Sequence, residues 1–216
     1  MFAQEAAWLA ERLAGLPVAA VSPLLNVGSS DRRFRERVQP YIEGVLFGPQ
    51  VARGVRVVHC DRKRHAGVDV VADVFSAAGL AELAAVGARA LVCSNVHEHV
   101  EDPAELSRRL LTLVPAGGHL LVTVPHSYPY HADPIDTMFR PDVEALAALH
   151  PGACVVAAAR VTAGTYRDSV RAAPSRVFGD AVEQVATLLR RRTTADLRVR
   201  WWNRAYAVSC VVLRKL

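Results

Sequence analysis

Between Pro125 and Pro141 this 216-residue chain crowds His126, Tyr128, Tyr130, His131, Asp133, Asp136 and Arg140 among prolines, the densest run of reactive side chains it has. His126 and His131 titrate near neutral pH, so either can take a proton from a hydroxyl or ammonium, and Asp136 can orient the ring that does so. Arg140 can hold a carboxylate or phosphate, and Tyr128 and Tyr130 supply aromatic contacts. Structural hydrogen bonding accounts for each histidine equally well, and an ion pair with Asp133 or Asp136 accounts for Arg140. A second polar stretch is Ser94-Asn95-Val96-His97-Glu98-His99-Val100-Glu101-Asp102-Pro103, in which His97 is either a special contact with a substrate or an idiosyncrasy of this chain. His97, His99, His126, His131 and Asp136 are enough ligands for an ion. However, no His-x-x-x-His or Cys-x-x-Cys spacing is present, and histidines two apart cannot share a helical face, so no metal is expected.

A third stretch, Leu24-Leu25-Asn26-Val27-Gly28-Ser29-Ser30-Asp31, is an apolar run that breaks at small residues. Such a run reads as a strand buried on both faces, and the small residues let a backbone turn approach a ligand. A ligand would lie over Gly28 to Asp31, with Asn26, Ser29 and Ser30 beside it. Of the Gly-x-Gly-x-x-Gly pattern that cradles a diphosphate only Gly28 is present, and Ser30 fills the second glycine position. Asp31 opposes a diphosphate but suits an ammonium or sulfonium group. An ordinary strand-to-helix turn without a ligand accounts for this stretch alone.

The elements that must position these residues alternate strand and helix, the pattern of a doubly wound α/β sheet. Residues 3 to 14 form an amphipathic helix with Leu9, Leu13 and Leu16 at helical spacing. A helix from Asp31 stops near Pro40, and Tyr41 to Gly54 reads as a loop with one short helix. Val55 to Asp61 is a strand whose final carboxylate can accept from both hydroxyls of a ribose. Val68 to Val74 is a strand at whose end Asp73 can accept from an adenine amine, with the Val74 amide beside it. Ala88 to Ser94 is the fourth strand. Its end, Ser94 and Asn95, faces the Gly28 turn across the topological switch point. Asp102, Pro103 and Glu105 predict a capping box on the next helix. Beyond the acceptor segment, a helix from Pro141 buries Val143, Leu146 and Ala147. Cys154 to Val161 is a strand and residues 162 to 176 are a loop over the site. Phe178, Val182, Val185 and Leu189 mark a helix ended by Arg190-Arg191-Arg192, and Tyr206 to Leu213 is the closing strand.

The order of these motifs resembles the class I S-adenosylmethionine-dependent methyltransferases. The Leu24 to Ser30 loop, Asp61, Ala72-Asp73-Val74, the Ser94 to Pro103 stretch and Val114 to Pro125 look like that family's successive motifs. The resemblance spans about the first 125 residues, and the ordered set is far more specific than any one member. It implies a seven-stranded Rossmann-like sheet, mostly parallel with the last strand antiparallel, and S-adenosylmethionine as the methyl donor. It assigns Asn26, Gly28, Ser29, Ser30, Asp61, Asp73, Val74, Ser94 and Asn95 to the cofactor. Ser30 and His97 depart from the family's usual glycine and apolar residue.

Composition bounds the remaining possibilities. With 51% hydrophobic residues the chain can bury a core, and its length suits a single domain over residues 1–216, the first 22 forming an N-terminal helical segment. No apolar run is long enough to span a bilayer, and Glu5, Glu11 and Arg12 argue against a secretory signal, so a cytoplasmic protein is expected. The net charge of +5 comes from scattered arginines, which disfavours nucleic acid as a partner. Cys60, Cys93, Cys154 and Cys210 read as buried reduced thiols. The expected partner is a small-molecule methyl acceptor at oxygen or nitrogen. Two rivals stay open: a protein that keeps the fold without methyl transfer, and an enzyme of the same fold with other chemistry.

Overall fold

The computed structural model describes residues 1–131, 135–172 and 201–216. In chain order it contains helices α1 (Ala3–Ala14) and α2 (Val18–Val21), then strand β1 (Leu24–Val27). Two π-helical segments, Phe34–Val38 and Ile42–Phe47, lead into α3 (Gly48–Ala52), β2 (Val57–Asp61) and the two-residue β3 (Val70–Val71). Next come α4 (Ala77–Ala85), β4 (Ala90–Ser94), a 3₁₀ turn (His97–His99), α5 (Pro103–Thr112) and β5 (His119–Ser127). The described chain closes with α6 (Val143–Ala148), β6 (Ala153–Thr165), α7 (Tyr166–Ala172) and β7 (Ala205–Lys215).

The seven strands form one sheet in the order β3-β2-β1-β4-β5-β7-β6. β1 pairs in parallel with β2 and β4, whereas β7 runs antiparallel to both β5 and β6. This is the sheet expected from the sequence. Successive residues of β1 feed opposite layers. Leu25 and Val27 pack with Leu91, Leu106, Leu110 and Leu120 on one face, and Leu24 packs with Leu9, Leu13, Phe47 and Leu121 on the other. A strand buried on both faces has to read as a continuous apolar run, which is why β1 and β4 are plain in the sequence.

Several local expectations are corrected. The segment expected as a loop with one short helix is helical through Ile42–Phe47 and Gly48–Ala52, and Ile42, Leu46 and Phe47 bury its inner face. The segment from residue 162 is the end of β6 followed by α7 through Ala172, because β6 stays paired with β7 as far as Thr165. Asp102 caps α5 by accepting from the Glu105 amide, but the Glu105 carboxylate turns to Arg108 and Arg109, so the box is half formed. Cys154 is exposed on the edge strand, whereas Cys60, Cys93 and Cys210 are buried thiols. The expected Phe178 to Leu189 helix, the Arg190-Arg191-Arg192 run and Asp133 lie outside the described residues. Among the described residues no helix is long and apolar enough to cross a membrane.

Candidate active site

A cavity of about 1310 Å³ opens at the carboxyl ends of β1, β2 and β4, on either side of the point where strand order reverses. One drug-sized ligand needs roughly 300–1,000 Å³, so the space suits a nucleoside-bearing cofactor together with an acceptor. Asn26, Gly28, Ser29, Ser30, Asp61, Asp73, Val74, Ser94 and Asn95 all line it. The cofactor-side residues expected from the sequence are therefore brought together.

Gly28 has φ +74°, and a Cβ there would stand 2.5 Å from Val96 Cγ2. That position requires glycine twice over, for its backbone conformation and for its contact. Ser30 also adopts a positive φ, 56°, as does Asn95 at 54°. Left-handed conformations of this kind cost serine on the order of 1–3 kcal/mol and persist only where the surroundings impose them. Here Asp61 Oδ2 accepts from the Ser30 amide at 2.9 Å, and Arg35 donates to the Ser30 and Ser29 carbonyls at 2.8 and 3.3 Å. Arg35 is buried, donating also to Glu43 and to the Gly67 carbonyl. The turn thus gains from a buried guanidinium what glycines supply elsewhere. Nothing in the spacing of the sequence singles Arg35 out from its neighbouring arginines.

Asp31 uses Oδ1 to cap the following segment at the Phe34 amide, and the residue borders the cavity. Asn26 lines the floor and donates to His59 Nδ1 at 3.0 Å. Burial and the nearby Arg35 push His59 down to about 4, so the ring is neutral and accepts that bond. Asp73 Oδ1 receives the Phe75 amide, and α4 crosses so closely that a Cβ on Gly79 would meet the Asp73 carbonyl at 2.3 Å.

At the acceptor end the expected residues divide. Tyr128 and His131 line the cavity, with Tyr128 packed against Phe2, Tyr206 and the His131 ring. Asp136 is buried behind His131, with Oδ2 3.2 Å from His131 Nδ1, and takes both Arg140 nitrogens at 3.1 and 2.6 Å. Burial alone would raise the Asp136 pKa. The bonds from His131 and Arg140 and from the His131 and Met138 amides instead hold it well below the usual carboxylate range. Arg140 is engaged by Asp136 and by the Tyr128 carbonyl, braces the loop and does not line the cavity. Tyr130 is not among the lining residues either.

Two of the expected histidines lie away from this cavity. His126 meets the Pro141 carbonyl through Nδ1 and Arg160 through Nε2 and is not among the residues that line the cavity. His97 is fully buried on the core side of the 3₁₀ turn, 3.0 Å from Ser107 Oγ, and burial pushes it down to about 3. The structure therefore places it as a neutral ring in the core, away from the cavity lining.

The sequence reading passed over two carboxylates that hold the site. Glu5 of α1 is fully buried and accepts from Asn95 Nδ2 at 2.9 Å, from Thr123 Oγ1 at 2.5 Å and from the Phe2 amide. It docks the chain's first residues over the switch point, and Met1, Phe2, Ala3 and Gln4 form part of the cavity wall. Glu98 is also fully buried and lines the cavity, and neither carboxylate oxygen has a hydrogen-bond partner among the described residues. Burial raises it to about 8. Its carbonyl accepts from the amide and hydroxyl of Thr137, which fastens the acceptor loop to the 3₁₀ turn.

No family model and no curated protein matches the chain. Solved structures do. Coclaurine N-methyltransferase bound to N-methylheliamine and S-adenosylhomocysteine superposes with a TM-score of 0.56 at 11% identity, covering 97% of this chain and 69% of that one. TnmH superposes with a TM-score of 0.50 at 15% identity over 99% of this chain, which spans 56% of TnmH. The chain has the class I methyltransferase fold, as the motif order implied.

Proposed function

We propose that this chain transfers the methyl group of S-adenosylmethionine to an oxygen or nitrogen of a small molecule. The observation that carries the reading is the meeting, in one cavity, of the Gly28 turn, Asp61 and Asp73 with an aromatic acceptor end at Tyr128 and Tyr206. The turn and Ser94-Asn95 hold the methionine part, Asp61 takes the ribose hydroxyls, and Asp73 with the Val74 amide takes the adenine edge. S-adenosylmethionine supplies an activated methyl on sulfonium, so the protein has to align donor and acceptor, exclude water and accept a proton. The aromatic cluster of Phe2, Tyr128 and Tyr206 excludes water and offers faces to an apolar or cationic acceptor. His131, oriented by Asp136, is the histidine of the loop that can receive the acceptor's proton.

Calorimetric titration with S-adenosylmethionine and S-adenosylhomocysteine tests the cofactor half, and binding of both is expected. Mass spectrometry over a panel of hydroxyl and amine acceptors tests the transfer, with a product heavier by one methylene. The strained serine at position 30 favours one second reading, a cofactor-binding protein without transfer. Tight binding of both ligands with no product over the whole panel supports that reading instead.

A further inference from the structure

We propose that Glu98, His99 and His131 hold a divalent cation of the zinc, cobalt, iron or manganese type at the acceptor end of the cavity. One ligand atom from each residue lies within 4.8 Å of those of the other two, and all three residues line the cavity. Small side-chain rotations bring such atoms around one ion at roughly 2.0–2.2 Å.

The Glu98 carboxylate is the strongest part of the case. It is fully buried, belongs to a residue that lines the cavity and lacks a hydrogen-bond donor to either oxygen among the described residues. Burying a carboxylate without a partner is costly, and a cation in the adjoining space removes that cost. The two imidazoles are backed in the way metal ligands are. His99 meets the Ile135 carbonyl through Nδ1 at 2.5 Å, and its Nε2 lies 3.8 Å from Glu98 Oε1. His131 has Asp136 Oδ2 3.2 Å from Nδ1. A carbonyl or carboxylate behind one ring nitrogen fixes the tautomer so that the other carries the lone pair. The rings stand edge to face with centroids 5.0 Å apart.

Two imidazole nitrogens and one carboxylate select a borderline transition-type ion over calcium or magnesium, which prefer oxygen throughout. Three protein ligands leave positions open toward the cavity, where an acceptor's hydroxyl or amine can bind and lose its proton more readily. In that state His131 is a ligand and no longer the base. The cation's role toward the acceptor rests on the methyl-transfer reading, but its binding does not. The pattern escapes a sequence search because Glu98 and His99 adjoin while His131 comes 32 positions later.

The test uses the full chain, freed of metal with a chelator, and titrates it with Zn²⁺ by calorimetry and with Co²⁺ by visible absorption. The expected result is one Zn²⁺ per chain and a cobalt spectrum with nitrogen and oxygen ligands. Glu98→Gln and His131→Ala should each weaken Zn²⁺ binding by about 10–100-fold, and His126→Ala should leave it unchanged. Glu98→Gln keeps the side chain's shape, so it carries the test if His131→Ala does not fold. Absence of stoichiometric binding of either ion, or equal Zn²⁺ affinity in wild type and Glu98→Gln, overturns the proposal. A parallel titration of the metal-free chain with S-adenosylhomocysteine reports on the cofactor half of the methyl-transfer reading, independently of the metal.

Discussion

The Ser30 amide donates to Asp61 Oδ2 across 2.9 Å, so the turn after β1 is held by the residue that ends β2. The Lys63 amide occupies the other carboxylate oxygen at 3.0 Å. Each oxygen keeps a second lone pair, which lets one carboxylate shape the turn and receive a ribose together. Asp61→Asn retains an acceptor for one amide but loses the charge, and Asp61→Ala removes both bonds. Affinity for S-adenosylhomocysteine should fall by about tenfold or more in each, at about 1.5–3 kcal/mol per charged hydrogen bond. Only Asp61→Ala should also lower the melting temperature markedly. Calorimetry and thermal melts on the pair separate the two duties, and wild-type affinity in Asp61→Ala removes this residue from the ribose site.

Gly28 is pressed against Val96 from the opposite side of the switch point. Gly28→Ala should destabilise the chain by about 1–3 kcal/mol, because it pairs a disfavoured φ with a 2.5 Å contact. Adding Val96→Ala relieves the contact but not the backbone conformation, so the double variant should recover only part of the loss. Urea denaturation of the four proteins measures the coupling. Full recovery in the double variant shows that the contact alone requires glycine.

How far the site could be read beforehand follows from how local each signal is. Gly28 follows β1, which is buried on both faces, and Asp61 ends β2, so these two strand ends are legible from the apolar runs before them, whereas β3 is only Val70–Val71 and Asp73 lies two residues beyond it. Within the 3₁₀ turn no period assigns a face, and adjacent residues diverge: His97 turns into the core while Glu98 turns to the cavity. The roles of Glu5 and Arg35 depend on partners far along the chain, Asn95 and Thr123 for Glu5 and Gly67 for Arg35. The helices after Asp31 were obscured because Pro40, Gly44 and Gly48 resemble loop punctuation, although burial of Ile42, Leu46 and Phe47 outweighs it.

His150 is buried at the end of α6 with Nδ1 3.1 Å from the Leu146 carbonyl, and burial holds it down at about 4. Unfolded, the ring binds a proton near pH 6.5, so between about 6.5 and 4 the unfolded chain holds more protons than the folded one. Stability is therefore complete above that window and declines as pH falls through it, by at most about 3 kcal/mol for this group. His59, lowered similarly, adds to the same limb. His150→Asn keeps a donor for the carbonyl without titrating. Its unfolding free energy, measured in urea from pH 4 to 7, should fall less steeply with acid than that of the wild type. An identical slope assigns the acid sensitivity elsewhere.

Glu5 ties α1 to the switch point through acceptors for Phe2, Asn95 and Thr123. Glu5→Ala leaves three donors without their acceptor, of which the Thr123 side chain is fully buried. The expected loss is about 3 kcal/mol, at about 1–3 kcal/mol for each buried group left unpaired. Glu5→Gln keeps one oxygen for Asn95 and Thr123 but turns an amide toward the Phe2 amide, two donors facing each other, so its loss should be intermediate. Because Met1 to Gln4 wall the cavity, both variants should also bind S-adenosylhomocysteine more weakly, the alanine variant more so. Thermal melts with and without ligand resolve the two effects. A Glu5→Ala chain that is destabilised yet binds with wild-type affinity makes α1 a structural brace whose position the cofactor does not sense.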